Sequence, residues 1–348
     1  MKTLRLIIDP AHLDTAEARE TLERGAQILR AGGLVALPTE TVYGLGANAL
    51  DAAAVEEIFR AKQRPAWDPV IVHIAGLEML KGLVEEVPEA ARRLMEAFWP
   101  GPLTLLLRRT RAVPDAVTAG RALVGVRMPR HPVALEVMRR AGVPVAAPSA
   151  NLFGRISPTI AAHVLEDLDG RIDAVLDAGA TAHGVESTVL DCCQSPMVIY
   201  RPGAVTVEQI RAVAGTVAVF ESGELEETPR EGLPSPGVGV RHYAPRARLV
   251  LVEGELYELG ARLGEAALLR PGERVGVMLP AEVAGLGVGA VEYAWGRWAA
   301  PEEMARELYA GLRALDAAGC TVIVCPVPPA EGIGAAIRDR LVKAGIRE

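Results

Sequence analysis

The chain predicts an α/β protein: a twisted, mixed, open sheet with helices, followed by a smaller C-terminal α/β domain of Rossmann-like pattern. Three observations carry this. Over the first two hundred residues short apolar runs alternate with amphipathic helical runs. Several of those runs are apolar nearly throughout, as strands buried on both faces are. The alternation then resumes beyond an acidic stretch rich in proline and glycine.

In the first part, strands are expected at 34–37, 70–74, 103–107, 124–128, 143–147, 174–177, 188–191 and 198–200. Helices are expected at 16–31, 52–61, 88–98, 132–141, 159–167 and 207–213. Pro88 suits a first helical turn, and Trp99-Pro100-Gly101-Pro102 is a firm stop. Residues 221–236 lack periodicity and read as a linker. Beyond it, strands are expected at 248–252, 274–279, 290–293 and 321–325, and helices at 256–268, 301–318 and 334–343. Gly332 and Gly334 lack the third glycine and acidic residue of a dinucleotide fingerprint, so they read as helix-start geometry. The expected organisation is a first α/β domain at 1–213, a linker segment at 214–246 and a second α/β domain at 247–348.

Composition narrows the function. Aromatics are 4% of the 348 residues, so Ala, Val, Leu and Gly must build the cores. The net charge of −7 argues against a nonspecific polyanion binder. No apolar run reaches transmembrane length, and MKTLRLIIDP is broken too early for a signal peptide. A cytoplasmic protein without a membrane partner is expected. Cys192, Cys193, Cys320 and Cys325 match no zinc spacing and read as small buried apolar residues in a reducing compartment.

The chemistry concentrates at strand ends. The most informative stretch is Pro38-Thr-Glu-Thr-Val-Tyr-Gly-Leu-Gly-Ala-Asn48, read as a polar, glycine-bearing turn after a buried strand, where open α/β sheets hold ligands. Lys62 and Arg64 follow a helical run and suit phosphate oxygens or the helix dipole. His73 and Arg127 lie in apolar strands and need partners. For Arg127 that partner is a substrate carboxylate or an internal Asp or Glu. Ser149 and Asn151 share a face if the 143–147 strand continues. Ser157 precedes a helix and also suits an N-cap. Ser187 and Arg201 stand at two further strand ends. No Walker motif, HExxH or nucleophile elbow is present. The set suits a polyanionic ligand with a small carboxylate-bearing one, and catalysis by positioning and charge.

The segments PTETVYGLGANA, KQRP, VRMP, APSAN, VESTVLD, RPG and PGVGVRHYAP, in that order between Pro38 and Pro245, resemble the threonylcarbamoyl-AMP synthase family in its long, two-domain form with a YrdC-like catalytic domain. The resemblance implies that L-threonine, bicarbonate and ATP are converted to threonylcarbamoyl-AMP and pyrophosphate. This supplies a transferase complex that modifies adenosine 37 of tRNA. It implies Mg²⁺ with ATP as substrate and no structural metal. It assigns Thr41, His73, Arg127, Ala147 and Ser187 to threonine. It assigns Arg64, Asp68, Ser149, Asn151, Ser157, Arg201 and His242 to ATP, with Lys62 and Arg64 the catalytic cations. Asp68 stands where an Asn is common in relatives, and Leu123 where a Thr is. Arg241, His242 and Tyr243 would close over the nucleotide. Two alternatives stand beside this. One is an RNA-binding module using Arg108, Arg109, Arg111 and Arg121, with tRNA as partner. The other is a carbamoyl-adenylate-forming enzyme.

Overall fold

A computed structural model describes residues 2–220, 233–235, 238, 242–268, 272–283, 285–286 and 289–345. The chain forms two compact units. The first comprises Met1–Phe153, Ser157–Ala182 and Glu186–Val240; the second comprises Gly154–Ile156, His183–Val185 and Arg241–Glu348.

In the first unit the described strands are β1 (Leu4–Ile7), β2 (Val35–Leu37), β3 (Gly44–Asn48), β4 (Ile71–His73), β5 (Leu103–Arg108), β6 (Leu123–Arg127), β7 (Val145–Ala146), β8 (Ala174–Asp177), β9 (Thr188–Asp191), β10 (Met197–Arg201) and β11 (Val217–Val219). They form one mixed sheet in the order β1-β8-β2-β3-β7-β4-β6-β5-β9-β10-β11. Three features differ from the sequence expectation. Gly44–Asn48 is a strand pairing antiparallel with β2, whereas its glycines read as a turn. The turn itself is the polar segment before it. β7 is only Val145–Ala146, so Ser149 and Asn151 do not share a strand face. Ser149 makes an isolated bridge to Gly44 instead. Residues 217–219, inside the expected linker, add a strand to the sheet.

Local chemistry explains the helices. Asp51 caps Ala52–Lys62, its carboxylate accepting from the Ala53 and Ala54 N–H groups at 3.0 and 3.3 Å. Thr206 and Gln209 form a reciprocal capping box for Val207–Ala214. The expected Ser157 cap is not used: Ala161–Leu168 starts after Ile160 without a side-chain cap. The helices Ala16–Arg30 and Pro132–Ala141 pack Leu22, Leu29, Val137 and Met138 into one core with β1, β2 and β8. A larger core joins Ala52–Lys62 and Glu89–Phe98 to the central strands. The residues Ile71, Leu106 and Val189 form only a small separate cluster, and their alternate neighbours on the strands are the polar residues of the site. Cys193 is exposed, unlike the other three cysteines, which corrects the reading of all four as buried.

The second unit holds a four-stranded parallel sheet of β12 (Arg248–Val252), β13 (Val275–Leu279), β14 (Val291–Ala294) and β15 (Val322–Pro326), ordered β12-β15-β13-β14. Gly334 opens the helix Gly334–Ala344, as the helix-start reading expects. Tyr243 adopts a left-handed φ of 63°. Its ring stacks on Tyr309 at 5.8 Å between centroids, and the Arg340 guanidinium lies 5.3 Å from it. Arg340 pairs in turn with Asp339 at 2.6 Å. The His242 N–H donates to the Lys343 carbonyl at 3.2 Å. Arg241 lies outside the described residues.

A Cβ on Gly203 would fall 2.3 Å from the Thr188 nitrogen, so the turn after β10 closes onto the start of β9 only with glycine. Gly203→Ala should destabilise the first unit by about 1–3 kcal/mol, measured by urea unfolding; an unchanged midpoint would show that the turn can relax.

Candidate functional site

Strand direction assembles the site. His73 ends β4, and Arg127, its register partner, ends the parallel strand β6. β5 runs against β6, so Leu103 and Thr104 at its start reach the same edge. β9 is parallel to β5, with Thr188 beside Leu103, which brings in Ser187. β10 returns antiparallel and ends there at Arg201. The loop after β2 adds Thr39, Glu40 and Thr41.

Arg127 is 3% exposed and organises this edge. Its Nη2 lies 2.7 Å from Glu40 Oε1, Nη1 donates to Thr41 Oγ1 at 3.0 Å, and Nε donates to the Gly101 carbonyl at 3.2 Å. The partner left open by the sequence is thus present within the chain as Glu40. Glu40 Oε2 also accepts from the Arg130 N–H at 3.0 Å. Burial pushes the Glu40 carboxyl up, but the charge and hydrogen bond of Arg127 outweigh it and hold the group below the usual carboxylate range. Thr41 bonds to Thr39 at 2.8 Å between hydroxyl oxygens.

A second arginine repeats the motif. Arg201 Nε donates to the Ser187 carbonyl at 3.1 Å and Nη2 to the Ser187 hydroxyl at 3.2 Å. That hydroxyl also pairs with Thr104 at 2.8 Å. Glu186, next to Ser187 in sequence, accepts from the Ser157 hydroxyl at 2.6 Å. Thr39, Glu40, Thr104 and Glu186 were not singled out from the sequence. The signal for Glu40 was its place inside the most polar strand-end segment.

A second cluster forms around the KQR segment. Lys62, 1% exposed, donates from Nζ to the carbonyls of Ser149 and Asn151, both at 2.5 Å. Its ammonium is therefore turned into the protein, contrary to the expectation of a cation facing phosphate. Burial, then the charge of Arg64, lowers its pKa well below the ordinary lysine value. Arg64 pairs with Asp68 at 2.9 Å and donates to the carbonyls of Asp68 and Pro69 at 3.1 and 2.7 Å. Phe153 lies under its guanidinium at 5.8 Å. Asp68 thus acts as the counter-ion of Arg64. Ala147 donates from its N–H to the Ile71 carbonyl, and a Cβ on Gly44 would come within 3.2 Å of the Ala147 Cβ, a tight contact. Tyr43 ties the two clusters together: its N–H donates to the Pro158 carbonyl, and its own carbonyl accepts from Ala150.

The first unit therefore brings Thr41, His73, Arg127, Ser187 and Arg201 to one edge, and Lys62, Arg64, Asp68, Ser149 and Asn151 into a neighbouring cluster. His242 belongs to the second unit. Arg109 is engaged with Asp115 and with the Val113 and Arg121 carbonyls, a structural use that weakens the RNA-binding patch. Among the described residues no three His, Cys, Asp or Glu side chains group as metal ligands, and no helix is long and apolar enough to cross a membrane.

Comparisons with known proteins agree with this architecture. A family model described as "Telomere recombination", covering Sua5, YciO and YrdC, matches residues 27–203. A model described as "Threonylcarbamoyl-AMP synthase, C-terminal domain" matches residues 205–345. The threonylcarbamoyl-AMP synthase of Bacillus subtilis is 44% identical over 99% of this chain and 98% of its own. That of Pyrococcus abyssi is 43% identical over 92% of each. The crystal structure of P. abyssi Sua5 complexed with L-threonine superposes with a TM-score of 0.89 at 39% identity, covering 99% of this chain and 97% of that one. The chain belongs to the threonylcarbamoyl-AMP synthase family.

Two consequences follow for stability. Glu40→Ala would leave Arg127 buried beside an absent counter-ion, and should cost about 3–5 kcal/mol in chemical unfolding. His73 is buried, and burial, then the charge of Arg127, lowers its pKa to about 3 from the ordinary 6.5. The unfolded chain gains a proton below the ordinary value that the folded chain refuses. This share of stability is full above about pH 6.5 and is lost as pH falls toward about 3. His73→Gln should therefore show a shallower loss of unfolding free energy between pH 7 and pH 5 than the parent; equal slopes would refute the assignment.

Proposed function

We propose that this chain is an L-threonylcarbamoyladenylate synthase, a nucleotidyltransferase that joins L-threonine, bicarbonate and ATP and releases pyrophosphate and water. The observation that carries the reading is the paired arrangement at the sheet edge. Arg127 with Thr41, and Arg201 with Ser187, each present a braced guanidinium and a hydroxyl, and the same unit carries a third braced cation, Arg64.

The chemistry needs this arrangement. The threonine nitrogen bonds to the carbonate carbon with loss of water. A carbamate oxygen then bonds to the α-phosphorus as the bond to pyrophosphate breaks. Both reactants are anions, and fixed guanidinium groups lower their repulsion without reorganising during the reaction. In this reading Arg127 receives the threonine α-carboxylate. A guanidinium carries five N–H donors, and three of the Arg127 donors are engaged with Gly101, Thr41 and Glu40. Two remain for a carboxylate. Glu40 keeps the buried cation acceptable and aims its fork.

Arg64, Ser149, Asn151, Ser157 and Arg201 are assigned to ATP. His73 and Ala147 line the amino-acid side with Thr41 and Ser187. Lys62 shapes the nucleotide side by holding the Ser149 and Asn151 carbonyls, which is a positioning role. Asp68 does the same for Arg64. Mg²⁺ enters with ATP as substrate, on phosphate oxygens. The product would pass to a cytoplasmic transferase complex acting on tRNA; direct tRNA contact is not needed for the adenylation.

Purified protein should release pyrophosphate from ATP only when threonine and bicarbonate are both present, with the adenylate detected by mass. Release that ignores threonine would defeat the reading. Arg127→Lys removes the planar fork and should raise the threonine KM by about tenfold or more, while the ATP KM moves far less.

A further inference from the structure

The hydroxyl pair Thr39–Thr41 has a determinable direction. Thr39 Oγ1 lies 2.6 Å from the Val42 carbonyl oxygen. A carbonyl only accepts, so the single Thr39 proton is committed there. In the 2.8 Å contact between the two hydroxyls, Thr41 must then be the donor. The N–H groups of Thr41 and Val42 share the second lone pair of Thr39 Oγ1 at the longer distances of 3.2 and 3.3 Å, which fixes its rotamer. Thr41 Oγ1 in turn accepts from Arg127 Nη1 at 3.0 Å. Its proton is used and one lone pair remains. Both threonines are buried, at 5% and 1% exposure, so water cannot readily reverse the chain.

Resting on the function proposed above, we propose that Thr39 is a positioning residue that locks the Thr41 hydroxyl as a hydrogen-bond acceptor toward the amino-acid substrate. Thr41 then receives a bond from a substrate N–H or O–H and offers none. Thr39 touches no substrate and acts only through Thr41. A buried hydroxyl with a free rotor can present the wrong end, and a mismatched pair of donors or of acceptors is penalised in a dry site.

The test is a double-mutant cycle in the full-length protein, read as threonine KM, ATP KM and kcat from pyrophosphate release. Thr39→Val should raise the threonine KM by about tenfold, with the ATP KM nearly unchanged. Thr39→Ser, which keeps the hydroxyl, should restore most of the loss. In a Thr41→Val background the same Thr39→Val change should have almost no further effect. With L-2-aminobutyrate, which lacks the hydroxyl, persistence of the Thr41→Val penalty places the donor at the amine, and its disappearance places it at the substrate hydroxyl. An equal Thr39→Val penalty in both backgrounds, equal losses for threonine and ATP, or no loss would each overturn the proposal. If Thr39→Val folds poorly, Thr39→Ala in the same cycle gives the same comparison. A wild-type protein inert toward threonine would instead indict the functional reading itself.

Discussion

A buried guanidinium is the constraint from which the site is built. Arg127 stands in a strand that is otherwise apolar, where an isolated charge would be costly. Its tolerance there depends on Glu40, Thr41 and the Gly101 carbonyl together. These come from two different loops, so satisfying one side chain also fixes the loop after β2 and the turn before β5. Arg64 follows the same logic with Asp68 and two carbonyls. Both cations are held by partners within the chain itself, which is what charge stabilisation of an anion-on-anion reaction requires.

The mixed sheet makes this geometry possible. A purely parallel sheet would offer only strand ends of one kind along an edge. Here three strand ends and two strand starts meet, because β5 and β10 each run against a neighbour. Side chains from residues about 160 positions apart, Thr41 and Arg201, are brought into one polar edge without a long loop.

Much of this was legible in the sequence, and the limits have physical causes. The apolar runs marked β4, β5, β6, β8, β9 and β10 because burial on both faces leaves a continuous signal. β1, Leu4–Ile7, was not anticipated: it lies at the sheet edge, alternates poorly and leaves Ile7 70% exposed. β3 was hidden because Gly44 and Gly46 usually punctuate chains, whereas here the small residues allow close approach to Ala147 and Val145. Arg127 announced that it needed a partner, yet one-dimensional reading had no means of choosing Glu40 over a substrate carboxylate. Lys62 was visible as a cation at a helix end; that it points inward, to two carbonyls from a distant loop, depends on a contact between residues 87 and 89 positions apart.

The row of hydroxyls beside Arg127 terminates on the backbone oxygen of Val42. An amide carbonyl is far too weak a base to accept a proton and hand it on. The row is therefore a dead end for proton transport, however well it orients its members. Whatever proton leaves the amine as the nitrogen–carbon bond forms must depart by another road.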